Sequence, residues 1–492
     1  MKKALMGLCI VAIGLFGLGL KANALAKAIE IDLSNLDLTE YSSLEEFKKV
    51  YDSGMLPSVY VTNFLYDGVS AVKSPDLDDT EFKTLEIKVI NIVKAGDYVF
   101  SGEISGAMIA VNTNGVTNPI TITLNGVKLD TDSKKAPAIY IYNRDKNYTD
   151  CKVTIRTISG TQNYLEGGKL KKVSLLGSDE LSKYTSNYSG DALTTYNERT
   201  DYYGIYTSSQ IENILFATVQ ADAEDLQDGD PLYFYKASGA ISSDIDLYFI
   251  GQGHLSVTSK NKEGIETKGN LTFDGGTGDY EIYAQDDCLN TTTASSAGTT
   301  VRNDLTINVS SLLAKVSEDA DEGDAIDSNG KLIINGGKIW AYAHSTSPDA
   351  GLDSGNGTYI NSGTVIATGN MVDEISSEST QKFIYAQLYT QVEAGKTVTI
   401  KDQDGNEIVE FKTDRTIKTV LYSSADLNYE SYKIYVDGEE VSYTQATMGM
   451  MRGGDMQKKS DISGTLLIAW IIEIVALVAL VGGVYIAKRA KK

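Results

Sequence analysis

The chain has 492 residues, of which 66 are acidic and 44 basic, and its formal net charge is −22. A protein this acidic repels phosphate backbones, which excludes nucleic-acid binding as a function. The chain contains 30 Tyr but only 2 Trp, and 45 Gly but only 6 Pro. This composition favours half-buried strands and sharp turns, so we expect an all-β protein. The length allows about three domains or one long repetitive domain.

The N-terminal segment has the layout of a secretory signal peptide. A basic start precedes an apolar stretch from Ala4 to Leu20, and the small residues Ala24 and Ala26 mark a cleavage site. We therefore predict that residues 1–26 are removed after secretion.

A short helix is predicted soon after the signal peptide. Between Thr39 and Ser53, Ser42 precedes Glu45 by three residues, and apolar side chains follow at helical spacing. We assign this helix to an N-terminal capping region, residues 27–97, which covers the open end of the strands that follow.

A short block recurs in the middle of the chain, with apolar side chains at alternate positions and a closing Asn or Asp. Its clearest copies are Leu271–Asp274, Leu305–Asn308, Leu332–Asn335 and Thr358–Asn361. The closing residues are 34, 27 and 26 residues apart. The stacked Asn125, Asn308, Asn335 and Asn361 are interpreted as a corner ladder of side-chain amides, without a chemical role.

A second block interleaves with the first, and its middle residues are Ile241, Ile265, Leu289, Ile326 and Leu352. They are 24, 24, 37 and 26 residues apart. The long interval in both series falls on the same turn, where Thr291–Arg302 is predicted to be an inserted loop. Strands this short cannot bury a face alone, so we predict that the copies stack at ~4.8 Å into a parallel β-helix. Leucine-rich and propeller repeats require other spacings.

The rest of the chain divides by composition. We predict that the stacked strands occupy residues 98–382, with a polar excursion at 160–236. Residues 383–447 alternate in hydrophobicity between turn signals and are predicted to form a small antiparallel β module. A flexible linker, residues 448–464, follows.

The C-terminal segment has the features of a membrane anchor. Residues 465–487 are apolar except for Glu473, and four basic residues follow in the predicted cytoplasmic tail, 488–492. The predicted localisation is therefore the bacterial cell membrane, with a single transmembrane helix, an extracellular body and a cytoplasmic C-terminus. Glu473 could contact a partner helix, or it could be a protonated glutamate in a lone anchor.

Three stretches carry a resemblance to a known family: Lys262–Gly276, Asp286–Asn290 and Gly323–Gly337. They resemble the carbohydrate-binding domain family of secreted bacterial cell-surface proteins, and the resemblance runs from about Tyr98 to Asp437. It implies a right-handed parallel β-helix similar to that of pectate lyases, with bound calcium ions and affinity for plant-type cell-wall polysaccharide. The excursion at 160–236 departs from the family pattern.

Alignment of the second block produces two polar columns. Carboxylates on neighbouring strands would raise one another's pKa unless something neutralises them, and oxygen-only clusters of this kind suit Ca²⁺. The predicted calcium ligands are Glu263, Glu266, Asp287, Asn290, Asp324, Asp327 and Asp353. The alternative is a solvated acidic edge, and it applies most strongly to the run Glu318–Glu322. Asp402–Asn406 is similar to a calcium loop, but we interpret it as a hairpin turn.

Aromatic residues alternate with small ones after the third copy of the first block. If the small residues point inward, Trp340, Tyr342 and His344 form an exposed row, with Tyr283 in the column of Tyr342. Such a row suits stacking against sugar rings, although cross-strand aromatic pairs can also serve stability alone. These four residues are the predicted carbohydrate-binding residues.

No catalytic residue is predicted, because no Ser/His/Asp, Cys/His or zinc-spaced set is present. The predicted function is calcium-dependent, non-catalytic binding of cell-wall polysaccharide, of pectin type or cellulosic, at the bacterial cell surface. One alternative is a polysaccharide lyase similar to pectate lyase. The other is a surface stalk or adhesin with a protein ligand, in which calcium serves only rigidity.

Overall fold

The computed structural model describes residues 28–65, 87–132, 136–143, 151–168, 239–296, 299–427 and 431–445. Within these residues there is one helix, α1 (Leu44–Asp52). Its N-cap is Ser43, one residue later than the predicted Ser42, and the Ser43 hydroxyl accepts a hydrogen bond from the Glu46 backbone N–H at 3.3 Å. Its apolar side packs through Phe47 against Tyr60 and Phe64.

The remaining regular structure consists of strands. Those before the excursion are β1 (Ile29–Asp32), β2 (Val59–Thr62), β3 (Lys88–Ile92), β4 (Gly96–Ser105), β5 (Ala107–Asn112), β6 (Ile120–Asp130), β7 (Ile139–Tyr142), β8 (Val153–Thr157) and β9 (Gln162–Gly167). Those of the repeat are β10 (Ile241–Ser243), β11 (Leu247–Gly251), β12 (His254–Ser259), β13 (Ile265–Thr267), β14 (Leu271–Phe273), β15 (Asp279–Ala284), β16 (Leu289–Thr291), β17 (Thr293–Ser296), β18 (Thr299–Arg302), β19 (Leu305–Val316), β20 (Ile326–Ser328), β21 (Leu332–Tyr342), β22 (Leu352–Ser354), β23 (Thr358–Ile360) and β24 (Thr364–Gly369). Those at the C-terminal end are β25 (Phe383–Val392), β26 (Thr397–Asp402), β27 (Glu407–Lys412), β28 (Ile417–Ser423), β29 (Tyr432–Val436), β30 (Glu439–Val441) and β31 (Tyr443–Gln445).

Two large sheets carry the repeat. A nine-stranded sheet has the order β2-β3-β5-β7-β10-β13-β16-β20-β22, and every pairing after β3 is parallel. The register agrees with the alignment of the second block, because Ile241, Ile265, Leu289, Ile326 and Leu352 are successive partners. In the sixteen-stranded sheet, Leu271, Leu305 and Leu332 are likewise partners, as the first block predicted.

The predicted right-handed parallel β-helix is wrong as a fold class. β6 pairs with β8 through its first half and with β9 through its second, and β19 pairs in the same divided way with β14 and β15. The ladder β14-β11-β8-β6-β9-β12-β15-β19 therefore returns to β14 and closes an eight-stranded parallel barrel. Alignment of three-residue blocks could not reveal that β6 and β19 continue beyond a block and each pair with two strands, which closes the ladder.

The core lies inside these ladders and consists of stacked apolar columns. Phe249 and Phe273 are partners in β11 and β14, and their rings stack at a centroid distance of 4.6 Å. Part of the predicted asparagine ladder is present, because Asn361 Nδ2 donates to Asn335 Oδ1 at 2.9 Å, whereas the register partner of Asn308 is Gly336. The predicted inserted loop contains the hairpin β17–β18.

The C-terminal strands pair antiparallel. β28 continues the large sheet beside β24, and β25 and β31 follow it. β27, β26, β29 and β30 form a separate four-stranded sheet. The turn at Asp402–Asn406 joins β26 to β27, which confirms that it is a hairpin turn, and the Asp402 carboxylate accepts hydrogen bonds from the backbone N–H groups of Asp404 and Asn406.

The predicted localisation as a single-pass membrane protein is contradicted. None of the described residues belongs to a helix that is long and apolar enough to cross a membrane. The predicted signal peptide, linker, transmembrane segment 465–487 and cytoplasmic tail lie outside the described residues, as does the part of the excursion from 169 to 236.

Candidate functional site

A column of polar side chains follows the outer side of the nine-stranded sheet. Ser242, Glu266, Asn290, Asp327 and Asp353 are successive register partners in the five short strands from β10 to β22. The neighbouring residue on each side of each member is buried, as expected for three-residue strands within a stack. The column itself is also largely buried, since Glu266 is 5% exposed and Asp353 4%. It is therefore not the solvated acidic edge that was the alternative prediction.

A second column lies beside the first, three residues earlier in the chain and just before β13, β16 and β20, and contains Glu263, Asp287 and Asp324. A hydrogen bond joins the two columns, because Asn290 Nδ2 donates to Asp287 Oδ2 at 2.5 Å. Within the first column, Asn290 Nδ2 also donates to Asp327 Oδ2 at 3.3 Å. The Asp324 backbone N–H donates to Asp287 Oδ1 at 2.8 Å. We call these two columns together the acidic columns.

Three carboxylates of the acidic columns converge. One oxygen each from Asp324, Asp327 and Asp353 lies within 4.8 Å of the other two. Ca²⁺ binds oxygen at about 2.4 Å, so two oxygens on one ion can be at most about twice that distance apart. The three residues thus have the spacing of ligands around a single cation.

Burial and like charge perturb the carboxylates of the acidic columns. Burial, together with the nearby Asp286 carboxylate, raises the pKa of Asp287 to about 7. Burial and the Glu266 carboxylate raise the pKa of Glu263 well above its ordinary value, and burial and Asp287 do the same for Asp324. A carboxylate in such a place must hold a proton or contact a cation.

Two oxygens in the acidic columns are buried without a hydrogen-bond partner among the described atoms. They are Glu263 Oε2 and Asn290 Oδ1. A buried acceptor without a donor is costly, and a bound cation satisfies such an oxygen directly. The donor set of these columns, oxygen atoms of carboxylates and one amide, therefore fits a hard divalent ion.

The sequence prediction missed Asp373, which extends the acidic columns beyond the last repeated strand. Its carboxylate accepts hydrogen bonds from the Ser354 backbone N–H at 2.8 Å and from the Ser354 hydroxyl at 3.1 Å. Burial and the Asp353 carboxylate raise its pKa to about 7. Asp373 lies outside both repeated blocks, so no periodic signal could have identified it.

The predicted carbohydrate-binding residues are not brought together as one exposed row. Tyr283 and Tyr342 share a register column, but Lys315 lies between them. Trp340 packs against the hydrophobic cluster of the C-terminal strands. His344 is only 5% exposed, and its Nδ1 lies 3.0 Å from the Ser347 hydroxyl.

Arg415, which the sequence did not single out, covers the Tyr342 end of that row. It is 2% exposed, and its guanidinium lies 5.7 Å from the centre of the Tyr342 ring. It donates to the Ala343 carbonyl at 2.7 Å, and its Nε is 3.3 Å from Glu318 Oε1. One member of the acidic run Glu318–Glu322 thus pairs with a buried arginine, while Asp321 and Glu322 are exposed.

Comparisons with known proteins support carbohydrate binding at a coarse level. A family model described as "Carbohydrate-binding domain-containing protein" matches residues 86–197 and 194–296, together less than half of the chain. That part of the chain is therefore similar to a carbohydrate-binding family. No curated protein matches the sequence.

One solved structure is detectably similar, the "polysaccharide lyase-like protein from C. thermocellum", described as a gadolinium derivative. It is 17% identical, and the similar region covers 59% of this chain and 82% of that one. The TM-score is 0.27, which is too low to transfer a fold or an activity.

Proposed function

We propose that this protein binds polysaccharide without cleaving it, and that binding of an acidic polysaccharide requires Ca²⁺ at the acidic columns. The observation that carries the proposal is the convergence of Asp324, Asp327 and Asp353 at a buried position, with oxygens within 4.8 Å of one another. The match of residues 86–296 to a carbohydrate-binding family supports the class of ligand.

The residues of the acidic columns are suited to hold the ion. Ca²⁺ takes about six to eight oxygen ligands in flexible geometry, and the columns offer carboxylates on successive strands. Asp324, Asp327 and Asp353 are the central ligands in this proposal, and the unpartnered oxygens of Asn290 and Glu263 are further candidates. When bound, Ca²⁺ would supply the positive charge that these buried carboxylates need.

The same charge argument specifies how a uronic-acid polymer could bind. Carboxylates of a pectin-type chain are repelled by the acidic columns, because both carry negative charge. A cation that is bound by carboxylates of the protein and of the polysaccharide at the same time removes that repulsion. Polygalacturonate is therefore the expected ligand in calcium, and a cellulosic chain requires a different surface.

The absence of cleavage is proposed from the protonation state of Lys262, a basic side chain beside the acidic columns. A lyase needs a neutral or strongly basic group to remove a proton beside a carboxylate. Burial lowers the pKa of the Lys262 amine, but Asp286, 2.6 Å away, and Glu263 raise it more, so that the amine stays protonated. A protonated Lys262 orients Asp286 and does not act as a base.

The test is retention of the full chain on immobilised polygalacturonate, in millimolar CaCl₂ and in EDTA. We expect retention in calcium, loss in EDTA, and roughly tenfold weaker binding for Asp327→Asn. Asp321→Asn is the matched control, because Asp321 is an exposed acid close in sequence to the columns. Unchanged retention in EDTA would contradict the calcium requirement.

The two alternative functions give different results in the same experiment. A lyase would release unsaturated products that absorb in the ultraviolet when polygalacturonate and calcium are supplied. An adhesin with a protein ligand would be retained on neither polygalacturonate nor a neutral glycan, although its stability could still depend on calcium.

A further inference from the structure

We infer that a second surface of this protein binds a neutral, β-linked polysaccharide chain and does so without a divalent cation. The surface is the outward side of β9, β12, β15 and the second half of β19, and we call it the Tyr164 face. The inference rests on the proposed function in one respect only, that the protein binds polysaccharide. It differs in site, in ligand charge and in cation requirement.

On the Tyr164 face, each strand contributes one outward residue to each column. Its central column contains Tyr164, Ser256, Glu281 and Leu313, which are successive register partners. The residues between them along each strand are buried, so these four side chains point outward. Neighbouring strands are ~4.8 Å apart, comparable with the length of one sugar residue in an extended β-linked chain. A chain lying across the strands would place one sugar over each.

The aromatic end of this face is open. The Tyr164 side chain is 47% exposed, which is unusual for a large aromatic residue on a strand. The His254 ring lies edge-on to it, with a centroid distance of 6.2 Å, and limits the tilt of the phenol. A held, exposed aromatic ring offers an apolar face to the C–H side of a sugar ring and a hydroxyl at its rim.

Polar groups along the column can receive sugar hydroxyls. The Tyr283 hydroxyl donates to Glu281 Oε2 at 3.3 Å, which orients the carboxylate and leaves its other oxygen as an acceptor. The Ser256 hydroxyl lies between Tyr164 and Glu281 in the same column. The column thus has two hydroxyl-binding positions, Ser256 and Glu281, between the aromatic Tyr164 and the apolar Leu313, which suits a polymer whose rings have both C–H faces and hydroxyl edges.

Three lysines around this face are paired with carboxylates. Lys128 lies 4.0 Å from Glu103, Lys260 pairs with Glu166, and Lys315 pairs with Asp414. With these lysines paired and the Glu281 carboxylate in the central column, the face has little attraction for a uronate and does not repel a neutral chain. This charge distribution is the reason for assigning it a neutral ligand that needs no bridging cation.

Three of the four strands of the face, β9, β12 and β15, lie within the segments matched by the family, and β19 lies beyond them. Tyr164 lies in the matched segment 86–197, and His254, Glu281 and Tyr283 lie in 194–296. Trp340 and Tyr342, by contrast, lie beyond both segments and are partly covered by the C-terminal strands.

The test is titration of the full chain with cellohexaose in EDTA, by calorimetry. We expect measurable binding by the unaltered protein, about a tenfold rise in Kd for Tyr164→Ala, and a rise of about threefold for Tyr283→Phe, which removes one hydroxyl. Tyr389→Ala is the control, because Tyr389 is 69% exposed and lies in β25, away from the face. Circular dichroism and the melting temperature check that the exposed substitutions leave the fold intact.

The outcomes separate this inference from the proposed function. Equal binding by Tyr164→Ala and the unaltered protein overturns the assignment of the Tyr164 face, while polysaccharide binding stands. Failure of the unaltered protein to bind cellohexaose, with retention on polygalacturonate in calcium, overturns the neutral ligand alone. Failure on both polysaccharides overturns the proposed function as well.

Discussion

The acidic columns and the Tyr164 face are built from the same kind of element, yet they have opposite chemistry. Both are outward columns of parallel strands, one residue per strand. In the acidic columns the side chains are largely buried and carry one sign of charge, as Glu266 and Asp353 show. On the Tyr164 face, Tyr164 is open to solvent, and the charges around it are paired. Stacking of the strands therefore sets the spacing of the side chains, whereas their burial and the charges around them decide which ligand can bind.

The two regions also differ in what fixes them. The acidic columns are held by hydrogen bonds between their own members, such as that from Asn290 to Asp287. The Tyr164 face ends where Arg415 and Asp414, in the turn between β27 and β28, contact Tyr342 and Lys315. One site is therefore internal to the repeat, while the other depends at one end on a different part of the chain.

The largest expected effect is the loss of stability when Arg415, which contacts the end of the Tyr164 face, is replaced. Arg415→Ala should lower the free energy of unfolding by about 3 kcal/mol, because it removes hydrogen bonds to two carbonyls and leaves a cavity. Chemical denaturation in EDTA measures it. Lys418→Ala, an exposed change three residues away in β28, should cost less than about 0.5 kcal/mol. A similar small cost for both variants would mean that Arg415 does not hold the C-terminal strands in place.

A somewhat smaller effect distinguishes the acidic columns from the Tyr164 face. Calcium at about one hundred times its Kd should stabilise the folded protein by about 2.7 kcal/mol, since it binds only the folded state. The melting temperature should rise with calcium in the unaltered protein and in Tyr164→Ala, but much less in Asp327→Asn. If Asp327→Asn responds as strongly as the unaltered protein, the ion is held elsewhere.

A third effect is the pH dependence of the same stability. The folded-state pKa values of Asp287 and Asp373 are raised to about 7, above those of unfolded aspartate. Their protonated forms thus contribute stability that is fully present below about pH 4 and is lost as pH rises through about 7. In EDTA, the free energy of unfolding should fall between about pH 5 and 7.

Saturating calcium should reverse this slope, because the ion requires deprotonated carboxylates and binds more tightly as pH rises. The measurement is denaturant unfolding at a series of pH values in EDTA and in calcium. Asp287→Asn should flatten part of the EDTA curve. A curve in EDTA that rises over this range would contradict the buried, like-charged environment described for the columns.

The sequence predicted the register of the strands far better than it predicted the closure of the ladder into a barrel. Equal spacing aligned Ile241, Ile265 and Leu289, and these residues are partners in the structure. The same alignment could not show that β6 and β19 continue around a corner, so the β-helix prediction failed against the closed ladder. Asp373 and Tyr164 were missed because neither lies in a repeated block.

By itself, the sequence determined which residues share a column, because a side chain's place in a repeated strand depends only on counting. It located the acidic columns and the corner asparagines in this way. Only the tertiary structure decided which columns are open. Burial of Trp340 beneath the C-terminal strands, the approach of Arg415 to Tyr342 and the exposure of Tyr164 depend on contacts between segments far apart in the chain. Such contacts leave no periodic trace in the sequence, since any exposed or buried role is compatible with the same alternation.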